Sequence, residues 1–480
     1  MAAEIPENPT DEGDLHRALG PWHLISLGIG CIIGAGIFVL TGHAAAGYAG
    51  PGVVISFAIA GLGCLFAGLC YSEYASMIPV AGSAYTYTYA TLGRLLAWII
   101  GWNLVLEYLA AASTVAVGWS GYFNNFLTSI GIPVPQALAG APISLTGFHT
   151  IAATGSLFNL PAVLLIGLIT WVLIVGVKTS ANFNNAMVVI KLSIVLVVIF
   201  ACFSYIVPAN HTPFIPPNTG EVGHFGWTGV FRATGVIFFA YIGFDAVSVA
   251  AQEARNPQRD IPLGMLGSLV ICTVLYMLMS YVETGIAHYS TLNVAHPVAT
   301  AVEALPGTRW LAPFVNVGAI VGLASVVLVL LLAQSRVFYA MSRDGLVPPA
   351  FSTIHPRFRT PYKGNIVTGV FAALLAGLLP LDILGELVSI GTLAAFTIVC
   401  IGVMVLRVRA PHVRRPFRTP FVWFTAPAGV FMCVFMMVFL PMDTWLRLAA
   451  WTVIGLAIYF FYSVKHAHPP RFSILALPAE

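Results

Sequence analysis

Apolar runs long enough to cross about 30 Å of hydrocarbon as helices recur along this chain, set apart by short polar stretches. Twelve such segments are read, at 22–46, 52–78, 94–126, 158–178, 182–206, 228–252, 263–287, 310–340, 366–380, 383–408, 421–440 and 443–464, the ninth being short. Numbered in chain order, they predict helices 1 to 12 of an all-α integral membrane protein. Two are interrupted by glycine: helix 1 in Ile32-Ile33-Gly34-Ala35-Gly36-Ile37-Phe38, and helix 6 in Phe238-Phe239-Ala240-Tyr241-Ile242-Gly243-Phe244-Asp245. In hydrocarbon every backbone N–H and C=O needs a partner, so a helix breaks only where its freed groups line a cavity or bind something. Glycines also let two helices pack closely, which is the bland alternative for either segment alone. Paired breaks at corresponding places in two halves point instead to a secondary transporter's binding site at mid-membrane.

The breaks also organise the chain. Five helices, five helices and two more give a first repeat at 21–206, a second at 227–408, and helices 11 and 12 at 421–464, between an N-terminal tail (1–20) and a C-terminal tail (465–480). Because each set of five is odd-numbered, the second enters the membrane with opposite polarity, which makes the repeat inverted, with a broken helix leading each half. Residues 1–15 are polar and acidic and lack the features of a signal peptide.

Composition sharpens the class. Hydrophobic residues make up 59% of the 480 and charged ones 8%, far below the roughly 25% of soluble domains. Of the 21 Lys and Arg, seventeen fall on the side of the N-terminus and three, Arg232, Arg309 and Arg447, on the other; Lys191 lies within helix 5. That bias predicts both termini in the cytoplasm and a plasma (inner) membrane setting. The net charge of +3 is therefore topology and not a nucleic-acid signal. All seven cysteines fall inside apolar segments and read as small packing residues. The histidines lie in loops, tails or near helix ends, which argues against haem ligation. Zinc-ligand pairs of the HExxH type, a Walker lysine and a serine elbow are missing, so neither an enzyme nor an ATP-driven pump is expected, and neither a cofactor nor a metal.

The chemistry of the breaks suggests a ligand. N–H groups opening the second half of helix 1, near Gly34 and Gly36, present partial positive charge and suit a carboxylate. Carbonyls near Ile32, Phe239 and Ile242 suit an ammonium. Opposite backbone poles so close fit a zwitterion, hence an α-amino acid. Ionisable groups inside membrane segments are costly and mark function. Lys191 is read either as a proton carrier or as a static lysine bonded to the carbonyls of a broken helix. Glu107, near the middle of helix 3, could face a substrate's cationic side chain, serve coupling, or be protonated and pack. Asp245, directly after the break in helix 6, either caps the restarting helix or gates. Glu73 and Glu283, near the ends of helices 2 and 7, read as interfacial.

Four stretches carry a resemblance: GIGCIIGAGIF (28–38), PVAGSAYTYTYATLGRLLAWIIGWNLVLEY (79–108), FFAYIGFDAVSVAAQEARNPQRDIP (238–262) and SRVFYAMSRDGLVPPAFSTIHPRFRTP (335–361). By these the chain resembles the amino acid–polyamine–organocation (APC) superfamily of permeases, in its cationic amino acid transporter branch, over nearly its whole length. The resemblance implies the LeuT-type five-plus-five inverted-repeat fold. It places the substrate on backbone atoms of Ile32, Ala35 and Gly36, with Phe239 and Ile242 completing the site and Phe239 also an aromatic gate; Gly34 and Ala240, within the two breaks, and Glu107 join the candidate substrate residues, and Asp245 is kept beside Phe239 as a candidate gate. It matches Lys191 to a helix 5 lysine that stands for a sodium ion in proton-coupled members, and Glu107 to a helix 3 acid of the cationic branch. The expectation is secondary active transport of L-amino acids, cationic or small and neutral, by proton symport and alternating access, with protons and the lipid bilayer as partners and a small single-span accessory protein as a further candidate. An amino-acid exchanger, or a sensor using the same pocket without flux, remains the alternative.

Overall fold

The computed structural model describes residues 19–77, 83–146, 150–176, 181–248 and 254–468. Most of the expected tails (1–18 of 1–20 and 469–480 of 465–480), Lys178, and Glu253 in the loop before helix 7 lie outside the described residues.

A helix, or a pair of helical pieces, occupies each of the twelve apolar segments. In an apolar solvent this is the arrangement in which each stretch satisfies its own backbone. Helix 1 runs over Pro21–Ile32, stops, and resumes at Gly36–Leu40 toward Ala45–Ala49; helices 2 and 3 are Val53–Met77 and Arg94–Ser129. Helices 4 and 5 are Leu160–Val175 and Ala181–Phe203, and helix 6 is Gly226–Ile237 followed by a tight turn at Phe238–Tyr241. Helices 7 and 8 are Pro257–Ile286 and Ala312–Arg343; helices 9 to 12 are Tyr362–Leu378, Leu381–Arg409, Val422–Val438 and Met442–Ile458. Among the described residues, eight helical stretches are long and apolar enough to cross a membrane, with four shorter apolar helices beside them. The loop between helices 3 and 4 carries an antiparallel hairpin, β1 (Ile143–Thr146) against β2 (Thr150–Ala153), with Ile143 opposite Ala153.

Position in the bundle follows from what each helix must hide. The helix 6 stretch has 94% of its most apolar window buried and the helix 12 stretch 17%, so the broken helix lies at the centre and helix 12 at the edge. Helix 3 packs chiefly on helices 8 and 10, and helix 7 on helices 1 and 2. All seven cysteines are free and buried, as packing residues in such segments would be.

Both described ends of the chain lie on one face. Leu19 pairs with Ala254 and accepts from the Arg255 N–H at 2.9 Å, so the start of helix 1 is pinned to the start of helix 7. At the other end His468 donates its N–H to the Asp344 carbonyl at 3.0 Å and accepts at its own carbonyl from the Tyr89 hydroxyl at 2.7 Å. Tyr85 donates to Asp344 Oδ2 at 2.7 Å. Both tyrosines sit on a short loop helix, Ser83–Thr91.

Two expectations are corrected. Glu73 and Glu283, read as interfacial, are each only 1% exposed. Glu73 is buried because two arginines close on it, one in the last turn of helix 10 and one just beyond it: Arg407 bonds both carboxylate oxygens at 2.8 and 2.9 Å, and Arg415 bonds Oε1 at 3.1 Å. The Thr419 N–H adds a fourth bond, at 2.8 Å. Glu283 is buried because the chain after helix 7 does not leave into solvent. It folds back into a second loop helix, Pro297–Glu303, which packs on helices 7 and 8 and on the second half of helix 1.

Candidate functional site

Helix 1 ends where Ile33, still donating to the Ile29 carbonyl at 2.9 Å, turns to extended backbone (φ −71°, ψ 97°). The chain recovers through Ala35 and enters a wide π-helical turn at Gly36–Leu40. In helix 6 the tight turn ends at Ile242, which is extended (φ −63°, ψ 139°), and Gly243 adopts φ +109°, a conformation that favours glycine. The two breaks touch. A side-chain carbon on Gly36 would overlap Ala240, and one on Gly243 would come within 3.0 Å of Cys31 Cβ.

Broken helices release carbonyls, and side chains from other helices take them up. Lys191, buried on helix 5 with 1% exposure, donates from Nζ to the Gly30 carbonyl at 2.8 Å. The Tyr276 hydroxyl of helix 7 lies 2.7 Å from the Ile32 carbonyl and 2.9 Å from the Ala240 carbonyl, so one hydrogen serves both breaks. Thr41 donates to the Gly36 carbonyl at 3.0 Å, and Tyr122 of helix 3 to the Phe38 carbonyl at 2.5 Å. The Ile32 carbonyl, expected to meet an ammonium, thus already has one donor; a carbonyl carries two lone pairs, so a second can join it.

Between the breaks lies a small cavity whose lining residues are all buried. Its wall is formed by Cys31, Ile32, Gly34, Ala35 and Gly36 of helix 1, Phe239 and Ile242 of helix 6, Ala111 and Val115 of helix 3, and Val326 and Leu330 of helix 8. Its free volume is about 10 Å³, room for one water molecule. A ligand the size of an amino acid enters only after the helices part. The side chains around the cavity are apolar apart from one thiol, so polar recognition falls to the backbone.

The sequence-predicted residues divide accordingly. Ile32, Gly34, Ala35, Gly36, Phe239 and Ile242 line the cavity, whereas Ala240 stands behind Gly36. Glu107 is one helical turn from Ala111 and off the cavity wall. It is fully buried, with Thr392 of helix 10 beside its carboxylate. Asp245 is close enough to act on it electrostatically. Asp245 accepts a hydrogen bond from Tyr108 of helix 3 at 2.7 Å, which ties helix 6 to helix 3 just past the break.

Sequence reading missed Tyr276, although a tyrosine deep in an apolar helix does signal that its hydroxyl has a partner elsewhere. Ala111 and Val115 could have been reached by stepping four and eight residues from Glu107. Val326 and Leu330 carry no signal that separates them from other apolar residues of helix 8.

A family model described as amino acid permease matches residues 19–463. Over 457 residues the chain is 47% identical to the branched-chain amino acid permease BcaP of Bacillus subtilis (strain 168), covering 95% of each chain. It is 46% identical over 453 residues to the methylthioribose transporter of the same organism, covering 94% of this chain and 95% of that one. It is also 38% identical over 406 residues to the vacuolar cationic amino acid transporter 4 of Arabidopsis thaliana, covering 83% of this chain and 64% of that protein.

Proposed function

Because the chain belongs to the amino acid permease family, whose members carry solutes rather than transform them, we propose that it is a secondary active transporter of L-amino acids working by proton-coupled symport. The observation that carries this reading is the meeting of two interrupted helices at one small, buried cavity walled by backbone and apolar side chains. A zwitterion would bring its own charges to the backbone poles, and its side chain would lie against Ala111, Val115, Val326 and Leu330. That apolar wall favours an apolar substrate side chain, as in the branched-chain permease relative. A second reading, a cationic substrate, draws on Glu107: a long side chain passing one turn beyond Ala111 would reach a buried carboxylate that faces no cation among the described residues. The methylthioribose relative adds a third solute to test.

The rest of the architecture belongs to the same proposal. Twelve spans in two inverted five-helix repeats, with both termini cytoplasmic in the plasma membrane, are supported by a helix in every apolar segment and by chain ends on one face. Proton coupling runs through Lys191. As an ammonium it braces helix 5 against the Gly30 carbonyl, and losing its proton to the cytoplasm would weaken that brace and let helix 1 move.

Reconstitution into sodium-free liposomes with an imposed inward pH gradient tests the reading. Uptake of labelled leucine should concentrate, and in a competition panel over all twenty amino acids plus methylthioribose the branched-chain amino acids should compete best. Competition by methylthioribose alone would remove the amino-acid assignment. Flux only against amino acid on the far side would make the protein an exchanger, and binding without flux would make it a sensor.

A further inference from the structure

Glu283, in the last turn of helix 7, takes no part in the mechanism above, yet its surroundings are unusual. Its carboxylate is 1% exposed, neither oxygen has a hydrogen-bond partner, and it enters no ion pair among the described residues. Tyr122 of helix 3 is near enough to feel its charge. The Tyr122 hydroxyl is committed to the Phe38 carbonyl, in the half of helix 1 beyond the break. The Tyr122 ring meets the His296 ring edge-on, with centroids 6.3 Å apart, and His296 Nδ1 is a second buried polar atom without a partner. His296 precedes the loop helix Pro297–Glu303. Side-chain carbons at Gly42 and Gly121 would run into Pro297 and Ala295, so these glycines let the loop sit flush on helices 1 and 3. Glu283 therefore stands where the second half of helix 1, helix 3, helix 7 and the loop helix close over the cavity, on the face opposite the chain ends.

Among the described residues no cation is paired with it. His43, on the second half of helix 1, is turned to Asp382 at 3.6 Å. His211 is bonded to the Tyr281 carbonyl and to Thr284 Oγ1. Burial pushes the His296 imidazole below its ordinary range, which keeps it uncharged near neutral pH. Glu303 lies at the far end of the loop helix. Lys191 on helix 5 and Glu73 on helix 2 are held by Gly30 and by two arginines. An ionised carboxylate sealed in such a place, with neither donor nor cation, is strongly disfavoured against the neutral acid.

We propose that Glu283 is a proton-binding site on the outer side of the cavity, filled from the external solution as helix 1, helix 3 and the loop helix close, and emptied when they part. The proton passes from external water to a carboxylate oxygen of Glu283, and closure then buries a neutral acid in place of an anion. An outer solution rich in protons thereby favours the closed state. The assignment of sides and of transport rests on the function proposed above; the site itself rests on the packing.

Two measurements on the full-length protein separate these levels. Infrared spectra of purified protein in lipid at neutral pH should show a protonated carboxylic-acid carbonyl band with a component that Glu283→Gln removes. Glutamine matches the neutral acid in shape and should leave the fold intact, as a thermal melt of the variant will show. In liposomes with the inner pH held, raising the outer pH weakens the gradient that acts through Lys191 and also empties Glu283, so the fall in uptake should be severalfold shallower for Glu283→Gln than for wild type, and Glu283→Asp should keep the wild-type slope. An acid band unchanged by Glu283→Gln, or a variant that follows the wild-type pH profile, overturns the proposal. So does a requirement for sodium at Glu283, which would make it a metal-cation site. If no flux is seen with any amino acid, the transport reading fails and the infrared result alone decides the proton site.

Discussion

Gly36→Ala is the most direct test of the contact between the two breaks. Carbon atoms rest at about 3.5–4.0 Å, and a Cβ on Gly36 would fall more than about 1 Å short of that against both Cβ and Cα of Ala240. Because one of those atoms is backbone, relief requires helix 1 and helix 6 to separate and the Tyr276 bridge between the Ile32 and Ala240 carbonyls to stretch. Forcing a methyl into a packed interior costs about 1–3 kcal/mol. At about 1.4 kcal/mol per factor of ten, that is a loss of roughly 5- to 150-fold in affinity for a ligand held by both breaks. Gly36→Val should abolish binding. Gly34→Ala is the control: its Cβ would meet the side chain of Val326, with Cγ2 nearest at 3.3 Å and Cγ1 at 3.4 Å, and no backbone atom among those nearest contacts. The assay is equilibrium binding of labelled substrate to purified protein, with thermal melts to show that each variant is folded. A folded Gly36→Ala protein with wild-type affinity, or a larger loss from Gly34→Ala, would refute the reasoning.

Lys191→Ala should lose accumulation driven by an imposed pH gradient while retaining binding; a variant that still concentrates substrate in sodium-free liposomes rules out Lys191 as the coupling group. Glu107→Gln should weaken arginine or lysine uptake more than alanine uptake if Glu107 reads the substrate's charge, and equal losses would assign it to packing or coupling. Tyr276→Phe removes the donor shared by two released carbonyls, at a cost of about 1–3 kcal/mol for the groups left unpaired, and should lower both the melting temperature and the uptake rate; unchanged values for both would show the bridge to be incidental.

What could be read in the sequence is what hydrocarbon enforces locally. Apolar run length marked where helices lie, and the glycine spacing at 34–36 and the pair Ile242-Gly243 marked where two of them stop, because a break in lipid has to be compensated. The compensating groups were hidden, since they come from elsewhere in the chain. Tyr276 lies 244 residues from Ile32, and Arg415 lies 342 residues from Glu73; only packing brings them together. Glu283 was misjudged for a related reason. Its place near a helix end suggested an interface, and only the fold-back of the loop at Ala295–Pro297 buries it.

The cluster around Glu73 also sets the order in which the face bearing the chain ends can come apart. Removing one partner from a buried, hydrogen-bonded charge pair costs about 3–5 kcal/mol, and this cluster holds helix 2 to the end of helix 10 through two arginines. The clasp on the same face, from Tyr85 and Tyr89 to Asp344 and His468, consists of single bonds, each worth about 0.5–1.5 kcal/mol net, or up to about 3 where the acceptor is charged. Under a common strain the clasp yields first. Helix 2 and helix 10 would then stay joined through Glu73, and a seam on that face would have to open beside helix 8 and the loop helix Ser83–Thr91.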